Sequence, residues 1–347
     1  MVRYGVRSLV LMTQVRSFSH FSSLGIPVLM GLVVALTGCL STEQTSVRMP
    51  SQAPTGAIAY PNPEGVPAPG GQQSLRFPAP AGQGSVFAPQ PTPISFTGTA
   101  PASPGQPNIT AKAAILVDSH GRVLFEKNAD SRLPTASTQK LLLGLLVAES
   151  GNLSKPITVA ESDTWAEPTI MGLKPGEVYM KHDLLKAVLV RSCNDIARTL
   201  ARDHSGSESA FVAQVNQKAR QIGMTNSYFT NSNGLPSPSG QYSTARDIAK
   251  MGMAAMRNPI VRDAISTKVF NFRLANGTTK TLYNTNQVLK NFPYCTGGKT
   301  GTTNAAGRCL VSSATANGKS VVAVILGSTS PTVWVESETL LRYGLGI

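Results

Sequence analysis

Three short clusters in this 347-residue chain carry residue types suited to acyl-transfer chemistry. The first is Ser137-Thr138-Gln139-Lys140, the sole Ser-x-x-Lys, placed where a very apolar run (residues 141–147) begins. Residues i and i+3 share one helix face, so the lysine amine can reach the serine hydroxyl. A helix N-terminus adds free N–H groups and a positive dipole that favour a nascent anion. Taken alone, the same four residues read more readily as a helix-capping serine followed by a surface lysine. The second cluster is one of two Ser-x-Asn triplets. Ser150-Gly151-Asn152 closes the helix that Ser137 opens, roughly 20 Å away at 1.5 Å per residue, and reads as a C-cap. Ser192-Cys193-Asn194 instead interrupts an apolar helical pattern (Leu184, Leu185, Val188, Leu189, then Ile196, Leu200), where buried polar groups need partners that a cleft would supply. The third is Lys299-Thr300-Gly301, also unique, which follows Gly297-Gly298 and opens a strand pattern. Its small residues let a substrate backbone approach.

Positioning these clusters requires a mixed α/β domain. Strand patterns over 113–118 and 123–127 flank the turn Ser119-His120-Gly121-Arg122 and predict a hairpin. A helix is expected over 137–150, stopped by Gly151, with further helical periodicity at 183–204, 207–222 and 244–257. Strand patterns return at 268–273, 278–283, 296–302, 308–315 and 319–327, and a last helix covers 332–343. Strands at both ends with helices between predict an antiparallel sheet that unites the two termini of the domain, with a helical subdomain inserted.

The N-terminal third reads differently. Arg3, Arg7 and Arg16 precede an apolar run from Leu24 to Leu36, and Met12 offers a second start. This is the layout of a signal peptide, with a core of about 13 residues, too short for a comfortable membrane span. Leu36-Thr37-Gly38-Cys39 resembles a bacterial lipobox, which makes residues 1–38 a lipoprotein signal and Cys39 the lipidated first residue; an ordinary secretory signal is the plainer alternative. Of the 24 prolines, 14 lie between positions 40 and 110, and so Pro/Gly-rich a stretch cannot bury enough apolar surface to offset its ordering entropy. Residues 39–110 are therefore expected to form a flexible linker, roughly 50 Å long as a coil and up to ~200 Å if stretched. Residues 111–347 form the catalytic domain.

Charge and composition narrow the classes further. Residues 1–38 hold three arginines and no acid and residues 39–110 are balanced, leaving +10 of the net +13 in residues 111–347. That excess suits an anionic partner such as a membrane surface or a carboxylate-bearing polymer. No zinc-finger spacing, basic helix or aromatic–basic interleaving points to nucleic acid. The four histidines lack ligand spacing, so no metal is expected; His20 lies in the signal and His120 in a turn. With Cys39 set aside, Cys193, Cys295 and Cys309 allow at most one disulfide, either Cys295–Cys309 or none.

All three clusters, in this order, resemble the serine penicillin-recognising enzymes. Pro134–Lys140, Leu173-Lys174-Pro175-Gly176-Glu177, Asn233-Gly234-Leu235-Pro236, Tyr242-Ser243-Thr244-Ala245-Arg246-Asp247 and Gly298–Gly301 narrow the resemblance to the D-alanyl-D-alanine carboxypeptidase family, across residues 111–345. The resemblance implies a DD-peptidase/β-lactamase-like fold and a cofactor-free enzyme acting on peptidoglycan stem peptides and inhibited by β-lactams. It implies Ser137 as nucleophile, Lys140 as its general base, and Ser192 as a proton relay toward the leaving amine. It further implies Asn194 as a holder of a substrate amide, and Lys299, Thr300 and Gly301 as the carboxylate-binding strand. Backbone N–H groups of Ser137 and Thr302 would form the oxyanion hole. Burial and Lys299 would together depress the Lys140 amine. Arg246 either reinforces the anionic field or pairs with Asp247 or another acid.

Two departures stand out. Cys193 occupies a position that is usually Gly, where it could narrow the cleft or be oxidised. The sequence also ends soon after the last expected helix, without the C-terminal β-domain and amphipathic anchor of many relatives; the lipid on Cys39 is expected to replace that anchor, in the cell envelope facing the wall or periplasm. A class A β-lactamase would need a water-activating glutamate, and Glu208, the sole Glu between Asn194 and Lys299, lacks the following Asn. A non-hydrolytic penicillin sensor would need a transmembrane output. A D,D-endopeptidase would use the same machinery, and the sequence does not separate it from a carboxypeptidase.

Overall fold

The computed structural model describes residues 92–98 and 105–347. The signal, Cys39 and most of the linker lie outside the described residues.

A five-stranded antiparallel sheet organises the domain: β1 (Ala113–Asp118), β2 (Val123–Lys127), β7 (Cys295–Thr303), β8 (Gly307–Ala316) and β9 (Lys319–Ser328), in the order β2-β1-β9-β8-β7. Two further ribbons pair β3 (Pro156–Thr158) with β4 (Val178–Met180) and β5 (Val269–Arg273) with β6 (Thr279–Tyr283). The first and last strands of the sequence meet, as the pattern predicted, with Ile115 opposite Val324.

Nearly continuous apolar runs in β1 and β9 leave both sheet faces buried, and the period of two sorts the side chains. Ile115, Val117, Val322 and Val324 face the larger core. That side is covered by α1 (Lys140–Glu149), α2 (Lys181–Arg191), α3 (Asn194–Ser205), α4 (Glu208–Gln221), α5 (Ala245–Arg257) and α6 (Pro259–Ser266). Leu116, Val321, Ala323 and Ile325 face the other side, beneath α7 (Gln287–Asn291) and α8 (Thr332–Leu345). Ser207 and Thr244 cap α4 and α5, and Asn258 caps α6 with Pro259 at its first position. Among the described residues no helix is long and apolar enough to cross a membrane.

Two expectations change, and one that was open is decided. The helix expected over 183–204 is two helices, because Ser192 turns left-handed (φ +71°) and Cys193 is extended before Asn194 restarts the helix. The break lifts Ser192 and Asn194 out of a buried helix face. Packing also starts before residue 111. Ile94 is buried and its N–H bonds Ile222 O (3.2 Å), and Thr97 bridges Arg122 beside β2. The Glu336 carboxylate of α8 gathers Thr110 N, Ala111 N (2.8 Å) and Ser328 Oγ (2.6 Å). Two isoleucines, Ile94 and Ile109, are enough to dock these proline-flanked segments onto the domain. Finally, Cys193, Cys295 and Cys309 are all free. Cys309 lies opposite Gly301 whereas Cys295 lies opposite Ala314, about six residues or 20 Å along the same ladder, so the two cannot bridge.

Candidate active site

Ser137 lies in a tight 3-10 turn (Ala136–Gln139) that leads into α1. Ala136, just before it, is held at φ +48°, a conformation that costs a non-glycine residue on the order of 1–3 kcal/mol and is retained only where surroundings over-determine it. Two glycines supply those surroundings. A Cβ on Gly234 would come within 2.8 Å of Ser137 N, and one on Gly301 within 2.9 Å of the same atom. The Asn233-Gly234 loop and strand β7 thus clasp the turn from two sides, and neither approach tolerates a side chain.

Lys140, fully buried, puts its Nζ 2.8 Å from Ser137 Oγ. The same nitrogen donates to Asn194 Oδ1 (2.7 Å) and Asn233 O (2.5 Å). Both partner atoms only accept, and the Ser137 hydroxyl itself donates to Asn233 O (3.2 Å); once that proton turns toward Lys140, a neutral amine with its two N–H bonds on Asn194 and Asn233 has a lone pair to receive it. Burial holds the Lys140 amine well below the ordinary lysine range, the positive charge of Lys299 adds to this, and Cys193 and Asp195 oppose it. A neutral Lys140 beside a serine hydroxyl is able to take up the hydroxyl proton.

On the opposite side, Lys299 Nζ donates to Ser192 Oγ (2.8 Å) and Thr300 O (2.9 Å). Its pKa is lowered to about 7 by burial, against a raising effect from Cys193. Thr300 Oγ1 lies 2.6 Å from Thr285 Oγ1, and Arg308 donates to the exposed Thr302 hydroxyl (3.1 Å). Ser137, Lys140, Ser192, Asn194 and Lys299 are therefore joined in two hydrogen-bonded groups, with Gly301 packed against the serine turn. Ser150, of the rejected triplet, caps the far end of α1 and bonds Val147 O.

Arg246 is the exception among the expected site residues. Its guanidinium pairs with Glu126 (2.6 Å) and Asp130 (2.8 Å), fastening α5 to the β1–β2 hairpin, while Asp247 pairs with Lys250. It carries no free charge toward a ligand, so the anionic-field reading gives way to the ion-pair one. Cys193 is also corrected. It is 1% exposed within the larger core, and burial, then Asp195, pushes its thiol up to about 12, so it neither narrows the cleft nor offers a thiolate for oxidation. Glu208 pairs with Arg198 (2.9 Å) and Ser232 Oγ (2.9 Å) rather than with Ser137 or Lys140, unlike the water-activating glutamate a β-lactamase would need.

Sequence reasoning missed three residues that shape the site, Pro168, Asp195 and Thr285, and quoted Asn233 in a motif without giving it a role. The Asn194 amide donates to Pro168 O (2.5 Å), which orients its oxygen toward Lys140. The loop carrying Pro168 is held by Asp195, whose buried carboxylate accepts from the N–H groups of Met171 (2.9 Å), Gly172 (2.9 Å) and Leu173 (3.2 Å). A three-residue run of N–H groups on one acid leaves no sequence signal beyond the acid itself.

The family model for D-alanyl-D-alanine carboxypeptidase matches residues 100–330, which include this whole constellation. The chain belongs to the D-alanyl-D-alanine carboxypeptidase family. Among this family's members it is similar to the D-alanyl-D-alanine carboxypeptidase DacB2 of Mycobacterium tuberculosis, 34% identical over 247 residues that make up 70% of this chain and 84% of the relative. It is also similar to DacC of Escherichia coli, 35% identical over 255 residues; the match takes in 69% of this chain but only 62% of that relative's length. A solved D-alanyl-D-alanine carboxypeptidase structure from M. tuberculosis superposes with a TM-score of 0.69 at 33% identity, covering 72% of this chain and 97% of the other. The family fold is thus the DD-peptidase fold that the order of clusters implied.

Proposed function

We propose that this protein is a serine D,D-carboxypeptidase that removes the terminal D-alanine from peptidoglycan stem pentapeptides. The observation that carries the reading is the buried Lys140 amine, 2.8 Å from Ser137 Oγ with its N–H bonds already taken. Ser137 Oγ attacks the carbonyl carbon of the penultimate D-alanine as Lys140 takes its proton. The oxyanion that forms is stabilised by the N–H groups of Ser137 and Thr302. When the tetrahedral adduct collapses, the C–N bond breaks and Ser192 relays a proton to the leaving amine. Water then cleaves the ester, releasing the shortened peptide and restoring the serine. Asn194 holds a substrate amide, and Lys299 with Thr300 and Gly301 holds the terminal carboxylate. An arriving carboxylate favours the charged form of Lys299 and so raises its pKa from about 7. β-Lactams enter the same pathway as mimics of the acyl bond and stop at the ester.

The test uses two substrates. A pentapeptide muropeptide and a cross-linked muropeptide dimer are incubated with the protein and the products weighed by mass spectrometry. Free D-alanine from the first is the expected result; monomers from the second, with no D-alanine from the first, would replace this reading with the endopeptidase one.

Asp195 acts in this scheme as a positioning residue. Asp195→Asn turns part of an acceptor-only group into a donor facing three N–H groups. Charge-assisted bonds of this kind contribute about 1.5–3 kcal/mol each, so the variant is expected to melt several degrees lower. With Pro168 released, Asn194 loses its orientation and β-lactam acylation should slow about 10–100-fold. Stopped-flow acylation at a wild-type rate in the folded variant would refute this assignment.

We further propose export to the cell envelope with a lipid on Cys39, motivated by Leu36-Thr37-Gly38-Cys39. One acyl-bearing residue on a long tether would let the domain search the wall while remaining on its membrane. Cys39→Ser should move the protein from the membrane to the soluble fraction. Unchanged membrane fractionation of that variant would exclude the lipid anchor.

A further inference from the structure

A cavity of about 720 Å³ opens between the α5–α6 corner and the neighbouring ends of β7, β8 and β9. Its size is that of a small-molecule site. The catalytic cluster is not part of it: none of Ser137, Lys140, Ser192, Asn194 or Lys299 lines it. The cavity's apolar lining includes Met253, Met256 and Val322, on the side of the sheet that faces the larger core. Methionine side chains readily re-pack around a ligand.

The mouth carries positive charge. Arg257 is exposed and has no hydrogen-bond or ion-pair partner among the described residues. Arg262, also exposed, bonds only Met256 O (3.2 Å), through one of its nitrogens. The one acid at the rim, Asp263, is met by Lys186 at 3.0 Å. Two forked guanidiniums over an apolar floor match a planar or tetrahedral anion attached to a chain.

A second observation lies behind the floor. Met256, Ser313 and Val322 also line an inner void of about 10 Å³, whose other walls include Leu141, Gly298 and Ser312. A space of that size is at the lower limit for a water. The Ser312 hydroxyl is fully buried there and has no partner, an uncommon state for a buried polar group. The cavity and the void are therefore separated by Met256, Ser313 and Val322, with one flexible side chain among them.

We propose that this cavity binds a single-chain amphipathic anion, its carboxylate or phosphate head on Arg257 and Arg262 and its apolar chain over Met253 and Met256. Leu141 and Gly298, which line the inner void and not the cavity itself, are next in sequence to Lys140 and Lys299.

The experiment uses the full chain labelled with 13C in its methionine methyls and octanoate as the probe. Met253→Leu and Met256→Leu assign the two signals. Octanoate is expected to shift both in a saturable manner, and Arg257→Ala/Arg262→Ala to raise the half-saturation concentration at least tenfold. Both arginines are exposed, and an unchanged melting temperature of the double variant shows that it folds. Octanol, with the same chain and no charge, should bind at least tenfold more weakly, and octyl phosphate should compete with octanoate. Inorganic phosphate alone should leave both methyls unmoved. No saturable shift, equal saturation in the double variant, equal binding of octanol, or a response to phosphate alone would each overturn the proposal. None of these readouts depends on the carboxypeptidase activity, so the two proposals can fail separately.

Discussion

Ser137→Ala is expected to abolish covalent labelling by a β-lactam and to lower D-alanine release on the order of 10⁶-fold, the scale seen when a serine that works as a unit with its base is deleted. The hydroxyl contacts only Lys140 and Asn233 O, so its loss should leave the fold and melting temperature nearly unchanged. Lys140 keeps Asn194 and Asn233 as acceptors in the variant. Intact-protein mass spectrometry after exposure to penicillin gives the answer directly. An adduct of unchanged yield on the Ser137→Ala protein would assign the nucleophile elsewhere.

The two buried lysines should fail differently. Lys140→Arg places a group that cannot become neutral near pH 7 beside the hydroxyl, and removes a general base worth about 10²–10⁴-fold. Lys299→Arg keeps a cation within reach of the substrate carboxylate and should retain measurable acylation.

The pH profile separates the two roles further. Acylation needs Lys140 neutral, so its rate rises with pH through the acid limb; that limb sits below the ordinary lysine range because burial and Lys299 hold the amine down. Carboxylate capture needs Lys299 charged, and in the free enzyme that charge is lost above about 7, so kcat/KM falls on the alkaline side. The two limbs belong to the coupled pair rather than to either lysine alone. In Lys299→Arg the guanidinium stays charged, so the alkaline limb should move up by more than one pH unit while the acid limb stays depressed. Second-order acylation rates across pH 6–10 test both statements. Equal losses in the two variants, or an alkaline limb that does not move in Lys299→Arg, would mean the base and the carboxylate holder are misassigned.

Much of this molecule was legible in its sequence because the signals are local. Alternating or continuous apolar runs fix a strand's face, and 113–118 and 123–127 match β1 and β2 residue for residue. The i, i+3 spacing of Ser137 and Lys140 follows from helix pitch, and the order of the three clusters carried the family. The choice of Ser192 over Ser150 also drew on helix length, since the ten residues of α1 lie between the wrong serine and Ser137.

What the sequence could not settle depended on contacts between distant segments. A left-handed Ser192 has no cost visible in composition; it forms because α2 must end and α3 must begin where Asn194 meets Pro168 and Lys140. Arg246 lies within a family motif, yet its partners are 116 and 120 residues away, and only the folded hairpin shows which acids claim it. Whether Cys295 and Cys309 pair was open in the sequence, where they flank one strand, and the ladder register decides it by holding them far apart. The docked Ile94 and the buried Ile109 were hidden by their proline-rich surroundings, because average composition cannot register two apolar side chains that find a pocket. The sequence by itself determined the reactive groups and the elements that carry them. The tertiary structure decided the protonation and aim of those groups, because burial, amide orientation and the approach of two lysines arise only between distant segments, with 54 positions between Lys140 and Asn194 and 107 between Ser192 and Lys299.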